Sequence, residues 1–487
     1  MSEIEVQPQL RYGDLREWMR EAESLGELRT VLGASWQEEI GLATDAVLRA
    51  DGGPAVLFDE VPGCPKGFRV LINIFAGKRR NMTLGFPDHL SKQELSRAFF
   101  DHFLSKERRI APELVEDGPV FENILTGENI DVTKFPAPVW HVHDGGRYIG
   151  TGCFSVTMDP DEKWINVGCY RAMVHDPKSV GLLFIPGKHA HMHREKYFSR
   201  SEKMPVVLVV GGNPLFFFVA GTEHPYGICE FDIVGGMQGK PVELVRGKVT
   251  GLPFPANAEI AIEGYLEREN RRQEGPFGEW TGYYAGGASP QPVLDIRAIY
   301  HRNDPIILGV PPLGGGPDES GRYRAVIRSA MLRQELANAG VPDVTQVWCH
   351  EVGASRMLHG IAIKQRYPGH AKQVGVLAAS CGSTVYGCKF VIVVDDDIDV
   401  SNFEELMWAM MTRCDPATSI DILRRMRTAP ADPRLTPEQR ELKDLTNSRA
   451  IIDATRPYEW MDKFPRVNAP SPEIARKARE KFGYLLR

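Results

Sequence analysis

A chain of 487 residues is too long for one hydrophobic core and is expected to divide into two to four domains. With 43% hydrophobic and 25% charged residues it has the composition of a soluble globular protein, and 58 basic against 64 acidic side chains, a net charge of -6, argue against a general nucleic-acid binder. Eight cysteines without CxxC spacing predict reduced, structural thiols in a cytoplasmic protein, and the acid-bearing start MSEIEVQPQLRYGDLREW does not read as a signal peptide.

The first stretch alternates helix and strand signals. Asp14, with Glu17 three residues on, predicts the start of an amphipathic helix through LREWMREAESLGELR that ends near Gly26. Residues 55–58 and 69–74 are short apolar runs bounded by Gly and Pro, hence strands, and Ser91 with Glu94 opens a second helix. From about 123 to 302 the texture changes to short apolar runs between turn residues, at 152–158, 164–174, 206–210, 215–220, 258–266 and 293–301. Such runs predict a β-barrel or sandwich, with one helical insertion near 177–198. The stretch 205–221 is short and broken by Gly211-Gly212-Asn213-Pro214, so two buried strands joined by a turn explain it better than a membrane span. Beyond 317 the α/β alternation returns: a helix over 323–339, a strand over 344–351, a helix near 370–379 and a strand over 389–394. Ser401 with Glu404 is expected to cap the helix NFEELMWAMMTRC, and Pro472 after Ser471 begins a basic terminal helix.

Glu274 and Glu279 lie five residues apart in Glu-Gly-Pro-Phe-Gly-Glu, where the intervening Gly and Pro predict a tight loop. A loop of this kind can hold two carboxylates in different environments, as an acid/base site needs; a solvated turn is the alternative. Arg171, five residues after Asn166 in WINVGCYRAM, falls in a stretch read as strand, and burying it there calls for a carboxylate such as Glu274 or Glu279. His189, His191 and His193 alternate in GKHAHMH; a helix is expected to turn them to different faces, leaving one functional imidazole. His141 and His143 leave a hydrolytic zinc site open, although no tight zinc motif occurs.

Glu230, among apolar residues in GICEFDIVGG, is the candidate buried carboxylate, with Asp232 its nearest competitor. An Asn, a His and a Glu would suit Mn²⁺ or Mg²⁺ completed by phosphate oxygens. VIVVDDDIDV at 391–400 reads as a strand ending in solvated charges, with a metal role the alternative, and Lys389 ahead of it could meet a phosphate. Neither a dinucleotide fingerprint nor a P-loop occurs, and LGGGPDESG at 313–321 reads as a flexible loop.

In combination these motifs resemble those of the UbiD-type decarboxylases, which use prenylated FMN. The resemblance is carried by Trp164, Asn166 and Arg171, by His189, by Glu230 before an Asp-x-x-Gly-Gly segment, by Glu274-Gly-Pro-Phe-Gly-Glu279, by VVDDDID, and by FPAPVW followed by DGGRYIGTG at 144–152. It spans most of the chain in the family's order. The fold it implies is α/β and multidomain: an N-terminal α/β domain over 1–122, a split β-barrel that binds the flavin over 123–316, and a C-terminal α/β domain with a terminal helix over 317–487.

The function so implied is reversible non-oxidative decarboxylation of an aromatic, heteroaromatic or α,β-unsaturated acid through a covalent prenylated-flavin adduct. Loss of CO₂ leaves electron density that a bare aryl or vinyl carbanion cannot hold, hence the need for a covalent electron sink. Asn166, His189 and Glu230 would bind Mn²⁺ against the cofactor phosphate, with K⁺ close by on Trp164, Ala220 and Glu230. Gly168, Cys169, Tyr170, Arg171, Lys188 and Lys389 would complete the cofactor site. Arg171, Glu274 and Glu279 would be the catalytic set, with Glu279 the proton donor, its pKa raised, and Glu274 the ionised partner of Arg171, its pKa lowered.

The implied partners are a small carboxylic acid, CO₂, a flavin prenyltransferase that supplies the cofactor, and a second copy in a homodimer or homohexamer, without nucleic acid or membrane. A flavin-dependent oxidoreductase on a split barrel and a non-catalytic flavin or metal binder are the alternatives. Trp280 is expected to wall an apolar pocket, Lys188 to be solvated or to meet a second anionic group, and Trp460 to pack in the core or cover the substrate.

Overall fold

The computed structural model describes residues 7–50, 52–105 and 108–486. The N-terminal helix Leu15–Ser24 starts where the cap chemistry dictates: the Asp14 carboxylate accepts the Glu17 N–H at 2.8 Å, and Leu15, Trp18 and Ala22 form the buried stripe. Ser91 and Glu94 make a reciprocal capping box for Lys92–Phe99. Next to these helices lies a four-stranded sheet in the order Leu28–Leu32, Ala55–Asp59, Arg69–Ile72, Ile306–Gly309. The last of these follows the central sheet in sequence, yet pairs in parallel with Arg69–Ile72. It thereby ties the first layer to the barrel.

Among the described residues the central sheet has nine strands. Its path runs Tyr148–Gly150, Ala172–Asp176, Ser179–Leu182, Ser289–His301, Ile260–Glu274, Met204–Val210, Cys153–Met158, Ile165–Gly168, with Asn123–Thr126 paired to Ser289–His301. The register slips between Glu263 and Gly264 and again between Leu266 and Arg271, and such bulges bend a sheet. The strands at the two ends of the path do not pair with each other, so the curled sheet is a split barrel. A C-terminal sheet, Val344–Cys349, Leu358–Ile363, Phe390–Asp395, Thr446–Ala454, Ile420–Arg427, packs against the helices Glu319–Asn338, His370–Ala378 and Phe403–Arg413. Among the described residues no helix is long and apolar enough to cross a membrane.

Several expectations are corrected. The run 164–174 is two strands, Ile165–Gly168 and Ala172–Asp176, with Cys169–Arg171 at the bend. Gly168 permits that bend, because a Cβ there would lie 2.7 Å from the Tyr170 ring. The run 215–220 is no strand but the helix Pro214–Ala220, capped by Asn213, whose side chain accepts the Leu215 N–H at 2.9 Å. Every residue of this helix is buried, and a helix buried all round shows no 3.6-residue period. Residues 177–198 hold a strand, Ser179–Leu182, before the helix His189–Ser199. The 313–321 run is only half loop, since Asp318 caps the helix Glu319–Asn338 from a buried position. Asn402, not Ser401, caps Phe403–Arg413.

Candidate active site

Arg171 leaves the bend between two strands and meets both glutamates. Its Nε and Nη2 donate to Glu274 Oε1 and Oε2, each at 2.8 Å, and its Nη1 donates to Glu279 Oε1 at 3.1 Å. The bidentate contact holds the planar guanidinium in a fixed orientation. Glu274 is not on the loop, as its spacing suggested, but is the last residue of the strand Ile260–Glu274, opposite Ser289. Its side chain is 1% exposed against 20% for Glu279, and the Tyr148 hydroxyl donates a further bond to Oε1 at 2.8 Å. Phe277 packs between, its ring 4.0 Å from that of Tyr148 and 5.4 Å from the Arg171 guanidinium. Burial raises the Glu279 pKa and outweighs the opposing effect of Arg171; the neighbouring Glu274 adds to the rise.

A second cluster forms on the strand Ile165–Gly168 and the helices His189–Ser199 and Glu230–Gln238. Glu230 is 4% exposed, its Oε2 accepts the Val167 N–H at 2.7 Å, and burial pushes its pKa up to about 8. Asn166 is buried beside it, its Nδ2 donating to Thr157 Oγ1 at 3.3 Å. His189 opens its helix with its ring 5.0 Å from Trp164, and burial with Lys188 beside it lowers its pKa, which favours the neutral imidazole. The Tyr170 hydroxyl, 3.3 Å from the Ala190 N–H, also interacts with Asn166 and Glu230. The competitor Asp232 is only partly buried and faces Arg109.

His189 and His193 do share a face, being four residues apart, contrary to the expectation, and both lie edge-on to Trp164. His193 is spent on Thr157, with Nδ1 3.0 Å from Oγ1. His141 approaches Asp144 and His143 lies against Tyr284; among the described residues no three His, Cys, Asp or Glu side chains form a metal group, so a zinc site has no support. Asn166, His189 and Glu230 supply one amide, one imidazole and one carboxylate. A buried carboxyl without an ion-pair partner among the described residues, an imidazole and an amide oxygen are donor types that suit a divalent ion. The Trp164 and Ala220 carbonyls each already accept a backbone N–H, from Asp159 and Cys169.

Beyond Lys188 lies a group of cations that the motif reading missed. Glu223 is contacted by Lys188 at 3.4 Å, Arg328 at 2.7 Å and Arg356 at 3.0 Å, with Arg324 close by. Although burial alone would raise its pKa, these cations hold the carboxyl well below the usual range. Four cations around one acid leave a positive surplus, and buried Arg356 Nε and Nη1 have no hydrogen-bond partner among the described residues. These features fit the phosphate of a flavin nucleotide. The sequence does carry a signal, since Arg324 and Arg328 stand four apart on one face of the helix Glu319–Asn338.

Trp280 lies beneath Arg356, 5.5 Å from its guanidinium. Lys389 is not a free point charge, because its Nζ is 2.8 Å from Asp432. Trp460 does not join the core: it is 46% exposed and packs on Phe464. The acids of VVDDDID are not all solvated, because Asp395 is buried and paired with Arg413 and Arg456, and Asp397 with Arg413.

Three family descriptions match the chain. The N-terminal domain of 3-octaprenyl-4-hydroxybenzoate carboxy-lyase (UbiD) covers residues 19–99, its Rift-related domain 113–315 and its C-terminal domain 323–454. A pyrrole-2-carboxylic acid decarboxylase from Pseudomonas aeruginosa is 32% identical over 447 residues, 88% of either chain. A phenolic acid decarboxylase from Bacillus subtilis is 30% identical over 92% of this chain and 93% of its own. The UbiD-class enzyme HmfF from Pelotomaculum thermopropionicum, solved in complex with FMN, superposes with a TM-score of 0.84 at 29% identity over 95% of this chain and 98% of its own. An evolved dimeric form of it, solved with prFMN, gives 0.80 at 28% identity over the same shares.

Proposed function

Because this chain belongs to the UbiD family and is a carboxy-lyase, we propose that it removes CO₂ reversibly from an aromatic or heteroaromatic acid with prenylated FMN, Glu279 protonating the product carbon. The observation that carries this reading is the pair of unequal carboxylates on one guanidinium: Glu274 fully buried on a strand, and Glu279 on the loop with a raised pKa. Arg171 and Tyr148 give Glu274 three donors, which suits an anion. Glu279 has a single bond from Arg171 and is free to hold a proton and deliver it.

Asn166, His189 and Glu230 would hold Mn²⁺, and Lys188, Arg324, Arg328 and Arg356 would surround the phosphate. K⁺ on Trp164 and Ala220 would use the second lone pair of each carbonyl. The prenylated flavin, when bound, supplies the electron sink for the carbon that loses CO₂. The substrate class follows the P. aeruginosa relative, a decarboxylase of a heteroaromatic acid.

The test is co-expression with a flavin prenyltransferase, followed by CO₂ release from a panel of aromatic, heteroaromatic and cinnamic-type acids. Glu279→Gln should retain the flavin and lower turnover by roughly 10²- to 10⁴-fold, the range general acid catalysis supplies. Full turnover in that variant removes Glu279 from the mechanism, and NAD(P)H oxidation without CO₂ release refutes the decarboxylase reading.

A further inference from the structure

The run DGGRYIGTG matches the family in sequence, and the structure places its first residues against the loop between the two glutamates. The Gly145 N–H donates to the Pro276 carbonyl at 2.7 Å. A Cβ on Gly145 would lie 2.0 Å from the Gly275 carbonyl oxygen, so only glycine allows this approach. Asp144, one residue earlier, has a side chain with 0% exposure. Its Oδ1 accepts the Tyr284 hydroxyl at 3.0 Å and its Oδ2 the His141 N–H at 2.9 Å, and the Gly278 backbone N–H lies near enough to favour the charged form, although burial raises the Asp144 pKa.

Those partners bracket Glu279. Gly278 immediately precedes it, and Tyr284 immediately follows Tyr283, whose carbonyl accepts the Glu279 N–H at 2.9 Å. The Gly282 N–H closes the same turn onto the Glu279 carbonyl at 2.8 Å. A segment with Gly at 278, 282, 286 and 287 has little intrinsic stiffness, so its geometry has to be imposed from outside. Charge-assisted hydrogen bonds to a buried carboxylate are strong enough to impose it.

We propose that Asp144 is the positioning residue of the proton donor: through Gly278 and Tyr284 it fixes the turn that aims the Glu279 carboxyl at the reacting carbon. The inference rests on Glu279 being the acid. It adds a third carboxylate to the pair on Arg171, one that acts through the segments on either side of the donor.

Asp144→Asn, Tyr284→Phe and the double variant test it in the flavin-loaded enzyme. Asn can still accept from Tyr284, but it turns an NH₂ toward the His141 and Gly278 amides, which opens the clamp. The expected result for Asp144→Asn is wild-type flavin content, a nearly unchanged KM and a kcat lower by roughly 10- to 100-fold, since a displacement of about 1 Å costs on that order. The alkaline limb of the pH profile should move as well, because Arg171, Glu274, Arg440 and Tyr386, the charged and titratable groups around Glu279, meet it at altered distances. Tyr284→Phe should lose less, and the double variant should be no worse than Asp144→Asn.

A wild-type kcat and pH profile in Asp144→Asn, or a loss of activity that only tracks lost flavin, overturns the proposal. Should Asp144→Asn fail to fold, Tyr284→Phe decides, and an unchanged kcat there overturns it equally. Failure of the underlying reading looks different: Glu279→Gln would then keep its turnover in the same series of measurements.

Discussion

Glu230 and Asp395 are carboxylates of similar burial, 4% and 1% exposed, in two different domains, and the chain treats them in opposite ways. Asp395 Oδ2 lies 3.1 Å from both Arg413 and Arg456, and Gln365 donates to its Oδ1 at 2.7 Å. Its charge is cancelled by its own chain. Glu230 receives the Val167 N–H and forms no ion pair with any described residue. Removing an anion from water without a counterion costs several kcal/mol, so a carboxyl left this way holds a proton, as the raised pKa of Glu230 indicates, unless a cation from outside takes its place. Burial therefore does not separate a functional acid from a structural one. The origin of the countercharge does.

The largest effect expected from this contrast is on Glu230. Glu230→Ala should lose the proposed Mn²⁺ and the flavin together and with them all turnover, while the fold survives because no ion pair within the described residues is broken. Metal analysis, the flavin spectrum and a melting curve on one preparation check it; retained flavin would place the cofactor elsewhere. Arg413→Ala should do the reverse. It strips one cation from Asp395 and the partner from Asp397, and breaking a buried pair costs about 3–5 kcal/mol. Chemical denaturation should show that loss, with kcat per bound flavin unchanged. If turnover fell instead, the VVDDDID acids would belong to the site.

A smaller effect distinguishes the two clusters by ligand. Mn²⁺ at a hundredfold excess over its Kd should stabilise the chain by about 2.7 kcal/mol if it binds only the folded state. The same addition should leave the melting temperature of Glu230→Ala unmoved and should still act on Arg413→Ala.

The sequence read some of this contrast and missed the rest for identifiable reasons. Helix caps at Asp14 and Ser91 were legible because they are local: a side chain satisfies an N–H three residues on. The helix Pro214–Ala220 was read as a strand because full burial erases periodicity. Glu274 and Glu279 were visible as a pair, and so was the need of Arg171 for a carboxylate. Their division into a strand-borne acid and a loop-borne acid was not, since it depends on Glu274 pairing with Ser289 across a hairpin. Asp395 looked solvated because Arg413 and Arg456 are distant in sequence and converge on it only through the fold of the C-terminal sheet. Arg356 and Glu223 carried no motif at all; their meeting is a product of domain packing.

The smallest expected effect concerns Glu279, where the same contrast recurs at short range. Burial raises its pKa, Arg171 opposes the rise without cancelling it, and Arg440, from the short helix Pro437–Glu441, opposes it weakly. A raised carboxylate stays protonated above the ordinary carboxylate range, so a rate that needs the acid form should hold through that range and fall as pH climbs through the raised value. The linked stability term has the same sign: the contribution from a neutral buried Glu279 is complete at low pH and is lost on the alkaline side. Arg440→Gln removes one of the opposing charges and should move the alkaline limb of kcat to slightly higher pH, with the flavin spectrum unchanged. Movement of the acid limb in place of the alkaline one would mean that Glu279 acts as an anion, and the assignment of donor and partner within the pair would have to be exchanged.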